Sequence, residues 1–170
     1  VDLPFSALDR IAVSIGPGGF SGIRAGVAAA RGIGLATGVP VVGATSFAIM
    51  AFAFEETNEC PDIYGLVSPA GLGAYYSQLL GRGRVPLCEI RMLPADAIER
   101  FFAGSVGVVA GPCASTLARH GLLCGATATA EIVPDAQILA KMAVALDAAR
   151  NPPSPFYVRP ADARPQGSPL

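Results

Sequence analysis

Apolar residues in the first third of the chain form short continuous runs separated by glycine and proline turns. Residues 11–16 (IAVSIG) and 39–44 (VPVVGA) are typical of buried strands in a parallel sheet. Helices are predicted over 21–37 and 46–56, with Ser21 and Ser46 as N-caps and Gly38 at the end of the first. Strand, helix, strand, helix is the βαβ order of an α/β fold.

After Asn58 the apolar runs become shorter and the turn residues more frequent. Strands are predicted over 63–67, 74–80, 85–91, 106–110 and 130–133, and the 81–84 turn makes a hairpin of the second and third. Helices are predicted over 95–102, 115–120 and 135–150, the last capped by Asp135. The remaining residues, 151–170, hold six prolines and are expected to be extended.

The helix over 21–37 is apolar nearly all round. One stripe at helical spacing is by default a core face and consists of Ile23, Val27, Ala30 and Gly34. A further face mixes apolar and arginine positions: Phe20, Arg24, Ala28, Arg31 and Leu35. Such a helix must be buried on both sides, either inside the domain or against another subunit, and arginine at its rim favours the subunit interface.

The composition supports a large core and excludes several classes of protein. Only 15% of the residues are charged and 52% are hydrophobic, so the chain is not intrinsically disordered. A net charge of -1 excludes the broad basic field of most nucleic-acid binders. Residues 32–54 carry no charge, but Gly38 and Pro40 interrupt them, which favours a core over a membrane span.

Cysteines and the N-terminus bear on localisation. The four cysteines, Cys60, Cys88, Cys113 and Cys124, form no CxxC pair, so we expect no zinc site. We expect them to be reduced thiols in a cytoplasmic protein. No secretory signal is visible.

The glycine-rich turn after the first strand could face a phosphate. Its sequence fits neither the Walker GxxxxGK[ST] loop nor GxGxxG, so a phosphate role and a purely structural tight turn both stay open. Catalytic candidates are absent: His120 is the only histidine, which excludes an HExxH zinc site, and no nucleophile elbow is present. We therefore expect no catalytic residue and no metal site.

Two stretches resemble a known family. Residues 16–46, GPGGFSGIRAGVAAARGIGLATGVPVVGATS, closely resemble the bacterial TsaB (YeaZ) signature, GPGS[FY]TG[LI]R followed by a small-residue helix. Residues 155–160, PFYVRP, resemble the family's closing P-x-Y-[LV]-R-P. Gly19 and Ser21 depart mildly from the signature, and residues 68–70 and 73–75 depart from the family's usual Asp-Ala-Arg and Glu-Val-Tyr.

The resemblance implies a two-lobed fold of the actin-like and Hsp70-like ATPase class, related to ribonuclease H and to the glycoprotease-like (M22) proteins. The chain would lack the first N-terminal strands, with 1–58 as the remainder of the N-terminal lobe, 59–134 as the C-terminal lobe and 135–170 as a closing helix and tail. It also implies a non-catalytic subunit that binds TsaD, the transferase forming N6-threonylcarbamoyladenosine at position 37 of tRNA.

The resemblance assigns site residues and partners as well. The interface helix would present Phe20, Ile23, Arg24, Val27, Ala30, Arg31 and Gly34; the candidate phosphate-facing loop, which follows from the glycine-rich turn and not from the resemblance, would be Gly16, Gly18, Gly19, Ser21 and Gly22. Expected partners are a TsaD-like protein, a TsaE-like ATPase and a second copy of the chain, with tRNA reached through the complex and no membrane contact. No cofactor is expected in this chain, and ATP or ADP only in the assembled complex. The alternatives are a small nucleotide-binding enzyme that uses the 16–22 loop and a self-associating scaffold.

Overall fold

The computed structural model describes residues 4–57, 59–123, 125–129 and 131–158. After a 3-10 turn at Phe5–Ala7, its strands are β1 (Ile11–Ser14), β2 (Val41–Ala44), β3 (Ile63–Gly71), β4 (Ala74–Gly81), β5 (Val85–Pro86), β6 (Arg91–Pro94), β7 (Val108–Ala110) and β8 (Thr127–Ala128). Its helices are α1 (Phe20–Thr37), α2 (Ser46–Thr57), α3 (Ala95–Phe102), α4 (Ala114–Arg119) and α5 (Ala136–Ala143).

A two-stranded parallel sheet is built from the first part of the chain. β1 and β2 pair in register from Ile11 opposite Val41, and α1 connects them, as the βαβ pattern predicts. α1 packs on one face of this sheet. On the other, Leu139 of α5 forms a buried cluster with Ala44 of β2 and Ile49 of α2.

A larger mixed sheet follows, with strand order β5-β4-β3-β7-β8 and β6 also paired with β4. β3 is antiparallel to β4 and parallel to β7. Both faces of the sheet are covered. On one face, Phe47, Met50 and Phe54 of α2 pack against Tyr64 and Leu66 of β3. On the other, α3 and α4 contribute Ile98, Phe102 and Leu117.

Four predicted elements are wrong by more than two residues, the first being the strand predicted over 63–67, which continues to Gly71. The strand over 85–91 is divided: Val85–Pro86 and Arg91–Pro94 are short strands that both pair with β4, and residues 87–90 between them are not strand. No strand covers residues 131–133; the nearest is β8, and Ala130 lies outside the described residues. The helix over 135–150 ends at Ala143, where the Arg10 guanidinium donates hydrogen bonds to the carbonyls of Ala143 and Leu146.

The predicted caps differ in outcome. Asp135 is confirmed, since its carboxylate accepts from the backbone N–H of Gln137 at 2.7 Å. Ser21 is not a cap, because α1 starts one residue earlier at Phe20 with Gly19 in the N-cap position.

Glu55 is the centre of a polar cluster between α2 and the β4–β5 turn. Its carboxylate, only 11% exposed, accepts hydrogen bonds from the Tyr64 hydroxyl at 3.1 Å and from the Arg84 backbone N–H at 2.8 Å. The Arg84 guanidinium adds an ion pair at 3.1 Å. Burial, followed by the nearby carboxylate, raises the pKa of the Tyr64 hydroxyl. We call Glu55, Tyr64 and Arg84 the Glu55 cluster.

In the described ranges, no helix combines the length and the apolarity needed to cross a bilayer. The uncharged stretch over 32–54 is divided among α1, β2 and α2. Cys60, Cys88 and Cys113 are free thiols, of which only Cys113 is buried, and Cys124 lies outside the described residues.

Candidate interaction surface on helix α1

α1 is an 18-residue helix with glycine at both boundaries. Gly19 occupies the N-cap in an extended conformation. Gly38 follows the last turn with φ 76°, and its N–H donates to the Gly34 carbonyl at 2.9 Å. This left-handed conformation favours glycine, so the predicted end of the helix is confirmed.

The inner face of α1 lies directly on the small sheet. Val27 is 3% exposed and Ala30 7%, and Gly34 is also buried. A Cβ added at Gly34 would lie 2.4 Å from Cγ2 of Val41, which shows how closely the helix approaches β2.

The prediction that Val27, Ala30 and Gly34 face a partner is therefore wrong. Their small side chains allow the helix to pack against its own sheet, so they belong to the interior of the chain. Ile23 is half-buried near the start of the same face.

The outward face of α1 is exposed and mainly apolar. Five residues spaced three or four apart follow one line along the helix, and we call them the outer stripe: Phe20, Arg24, Ala28, Arg31 and Leu35. Leu35 is 90% exposed and Phe20 48%. Exposed apolar residues that share one face of a helix favour an interaction site as the interpretation of this face.

One end of the outer stripe is tied to the C-terminal segment. The Arg24 Nε donates a hydrogen bond to the Tyr157 hydroxyl at 2.8 Å, and the Arg24 guanidinium carbon lies 3.7 Å from the centre of the Phe20 ring. The rings of Phe20 and Tyr157 are 5.6 Å apart. Tyr157 was not among the predicted site residues, although the PFYVRP motif that contains it was recognised. Its Arg159 and Pro160 lie outside the described residues.

The glycine-rich loop has a buried half and an exposed half. Gly16 and Pro17 are buried, and their carbonyls accept hydrogen bonds from the Ser46 N–H at 2.8 Å and the Ser46 hydroxyl at 2.7 Å. Gly16 has φ 98°, and a Cβ there would lie 2.6 Å from the Ile23 side chain. This half is thus required for the turn itself.

Ser46 was predicted as the N-cap of α2, and this is wrong. Its hydroxyl donates to the loop, while the Thr45 hydroxyl accepts from the Ala48 N–H at 3.1 Å and so provides the cap.

The exposed half of the loop consists of Gly18, Gly19, Ser21 and Gly22. The first hydrogen-bonded helical amide is that of Ile23, to the Gly19 carbonyl at 3.0 Å. The preceding amides are the free ones present at the start of every α-helix. A phosphate role for this half stays a prediction.

Elsewhere the described residues offer little chemistry. His120 is exposed at the end of α4, and its Nδ1 donates to the Thr116 carbonyl at 2.8 Å. Within the ranges described, no three histidine, cysteine, aspartate or glutamate side chains come together as metal ligands.

Comparison with known proteins assigns the family. Residues 1–85 match the family model described as TsaD, tRNA N6-adenosine threonylcarbamoyltransferase. A protein of that same description from Ruegeria sp. (strain TM1040) is 31% identical over 126 residues, which are 70% of this chain and 33% of that protein. The chain thus spans about one third of the length of the curated relative it matches.

Solved structures from Pseudomonas aeruginosa have the same fold. YeaZ superposes with a TM-score of 0.68 at 22% identity, over 91% of this chain and 76% of the YeaZ chain. A protein described as similar to peptidase YeaZ gives 0.69 at 22% identity, over 92% of this chain and 76% of that one. The expected actin-like, ribonuclease H-like fold class is thereby confirmed. With half of its residues matched by the family model, the chain belongs to the TsaD family, and it has the fold of YeaZ over 91% of its length.

Proposed function

We propose that this chain is a non-catalytic, cytoplasmic subunit that binds a TsaD-type transferase and contributes to threonylcarbamoyladenosine formation in tRNA. The observation that carries the proposal is the outer stripe: α1 leaves Leu35 90% exposed and Phe20 48% exposed on a helix that carries no acid. Membership of the TsaD family supports the choice of partner.

The outer stripe has the features of a protein-binding surface. Ala28 lies at its centre and is small enough for a second helix to approach closely, and larger apolar groups stand at each end. Its N-terminal end consists of Phe20 and Arg24, and aromatic residues and arginine are enriched in interfaces. The described residues group no metal ligands. We accordingly assign the catalytic chemistry to the partner, together with any ATP or ADP, and place a TsaE-type ATPase and tRNA in the same assembly.

The test is a binding titration between this chain and the TsaD-type protein of the same organism. Leu35→Gln keeps the helix propensity and adds no charge, but it removes the apolar contact. We expect binding about tenfold weaker or worse, as for a buried interface anchor. Leu72→Gln is the matched control: Leu72 is fully exposed at the β3–β4 turn, far along the chain from α1, and its substitution should leave binding unchanged.

Circular dichroism establishes that both variants are folded. Equal binding by wild type and Leu35→Gln would rule out the outer stripe as the docking surface. Failure of the wild-type chain to bind the transferase at micromolar concentration would refute the proposed function itself.

A further inference from the structure

A pocket of about 370 Å³ lies where the two parallel strands of the small sheet end. Because β1 and β2 run in the same direction, their carboxyl ends, near Ile15 and Ala44, meet at one edge of the sheet, and both residues line the pocket. In open α/β sheets, ligands bind in the crevice outside the carboxyl ends of the strands. The pocket has no residue in common with the outer stripe, so it is a separate feature of the chain.

A segment without helix or strand, residues 151–156, closes one side of the pocket, and we call it the strap. At the end nearer β2, the Gly43 N–H donates to the Asn151 carbonyl at 2.9 Å. At the other end, the Phe156 N–H donates to the carbonyl of Ile15, just after β1, at 2.8 Å. Three of the four residues between Asn151 and Phe156 are proline, which fixes φ and stiffens the strap. The strap therefore holds the pocket open across the ends of both strands.

The walls of the pocket are mainly apolar. Met142 and Leu146 come from α5 and the turn after it, Ala48 comes from α2, and the strap adds Phe156. All four side chains are only half-buried, so a ligand in the pocket would remove further apolar surface from water. The volume lies near the lower end of the range for small-molecule sites and holds about ten non-hydrogen atoms.

One positive charge stands in this apolar lining. Arg150 is the charged residue among the described residues that line the pocket, and its guanidinium forms no ion pair in the described ranges. The nearest acid in sequence, Asp147, lies outside the lining, and its carboxylate accepts from the backbone N–H of Ala149 and of Arg150 at 3.0 Å. Thr45 and Ser154 add hydroxyl groups to the lining. The pocket is therefore complementary to an anion with an apolar body.

We propose that this pocket binds a small organic acid, with its alkyl or aryl body against Met142 and Leu146 and its carboxylate paired with Arg150. A guanidinium donates two parallel hydrogen bonds to a carboxylate, so the match is geometric as well as electrostatic. One guanidinium balances one acid group, whereas a nucleoside triphosphate carries several negative charges, so the lining selects a monoacid.

The first experiment uses phenylpropanoate as the probe, because it joins one carboxylate to an apolar ring, with phenylpropanol as its uncharged counterpart. Each is titrated into the isotope-labelled full chain, and binding is followed by the chemical shifts of the backbone amides. We expect the acid to shift the amides of Gly43, Ala44 and Thr45 with a Kd of about 1 mM, and the alcohol to bind about tenfold more weakly. No shift at these amides with about 20 mM acid, or a shift produced there by ATP, would overturn the proposal.

The second experiment tests the charge. Arg150→Gln removes the guanidinium at an exposed position, so it should weaken binding of the acid about tenfold and leave binding of the alcohol unchanged. Arg100→Gln is the matched control, since it makes the same change in net charge at an exposed position on α3 and should bind both compounds as wild type does. Wild-type affinity of Arg150→Gln for the acid would overturn the proposal.

The third experiment tests the position of the ligand. Ala48→Leu adds three carbon atoms inside the pocket, so the folded variant, checked by circular dichroism, should bind neither the acid nor the alcohol. Normal binding by this variant would place the ligand elsewhere and refute the proposed site. Because Ala48 and Arg150 lie outside the outer stripe, these results do not depend on the docking surface of the proposed function.

Discussion

Two glycines of α1, two residues apart, should respond in opposite ways to the same substitution. A Cβ added at Gly32 has no atom within 4 Å, whereas one added at Gly34 lies 2.4 Å from Cγ2 of Val41 and 3.0 Å from the Val39 carbonyl oxygen. Both positions are helical, so alanine reduces the entropy lost on folding at each, by about 0.5–1 kcal/mol. The difference between the variants therefore isolates the packing of α1 against β2.

The packing cost at Gly34 can be estimated. Val41 is β-branched and stiff at χ1, and the Val39 oxygen belongs to the backbone, so neither contact is relieved by moving the end of a flexible side chain. Overpacking of this kind costs about 1–3 kcal/mol. We expect Gly32→Ala to raise the free energy of unfolding by about 0.5–1 kcal/mol and Gly34→Ala to lower it by about 1 kcal/mol.

Urea unfolding followed by circular dichroism measures the free energy of unfolding of both variants. Equal m-values for Gly32→Ala and Gly34→Ala would show that the two variants differ in stability and not in the surface exposed on unfolding. If Gly34→Ala is as stable as Gly32→Ala, α1 does not lie against β2 as described. The inner face of the helix would then have to be reassigned.

Three further predictions concern stability. The Ser77 hydroxyl is fully buried with no hydrogen-bond partner in the described chain, so Ser77→Ala should raise the free energy of unfolding by about 1 kcal/mol, and a decrease would reveal a missing partner. Glu55→Gln removes the carboxylate of the Glu55 cluster and should lower stability by about 1–3 kcal/mol in urea unfolding, whereas Glu56→Gln, at an exposed ion pair, should change it by less than about 1 kcal/mol. Burial raises the pKa of the Cys113 thiol from 9.0 to about 11. The contribution of this thiol to the free energy of unfolding is complete below pH 9. Above pH 9 the thiol ionises in the unfolded chain but not in the folded one, so the contribution falls by about 1.4 kcal/mol per pH unit up to pH 11. Cys113→Ala should reduce this loss between pH 9 and 10, before the Tyr64 hydroxyl adds its own and with a part left to Cys60, whose pKa burial also raises, and an unchanged slope would refute the assignment.

The order and type of most elements could be predicted from the sequence. Apolar runs bounded by glycine and proline correctly gave β1 and β2, and the αL position of Gly38 ends α1 where expected. Errors arose where tertiary contacts outweigh local pattern. The α5 pattern continues in sequence to residue 150, but Arg10, more than 130 residues away, binds the carbonyls at the end of the helix near Ala143.

The candidate site shows the same limit. The helical spacing of Ile23, Val27, Ala30 and Gly34 already indicates a core face, but in a helix that is apolar nearly all round it does not decide whether that core is the chain's own or a partner's. Val27 was assigned to the partner and lies in the core, whereas Leu35 is 90% exposed and was left out of the predicted site. The position of β2, with Val41 beneath Gly34, shows that this face packs inside the chain. The role of Ser46 was also hidden, because its bond to the Pro17 carbonyl joins residues 29 apart in sequence.

Small residues in α1 serve two separate purposes, and this separation can be measured. On the inner face, Gly34 and Ala30 bring the helix close to its own sheet, so substitutions there must change the free energy of unfolding. On the outer stripe, Ala28 and Leu35 are exposed, so under the proposed function substitutions there should change partner binding and leave unfolding within about 0.5 kcal/mol of wild type. Leu35→Gln should therefore change mainly the dissociation constant for the partner, and Gly34→Ala mainly the free energy of unfolding. A loss of stability in Leu35→Gln as large as in Gly34→Ala would mean that the outer stripe is already covered by the chain, leaving no free surface for a transferase to bind.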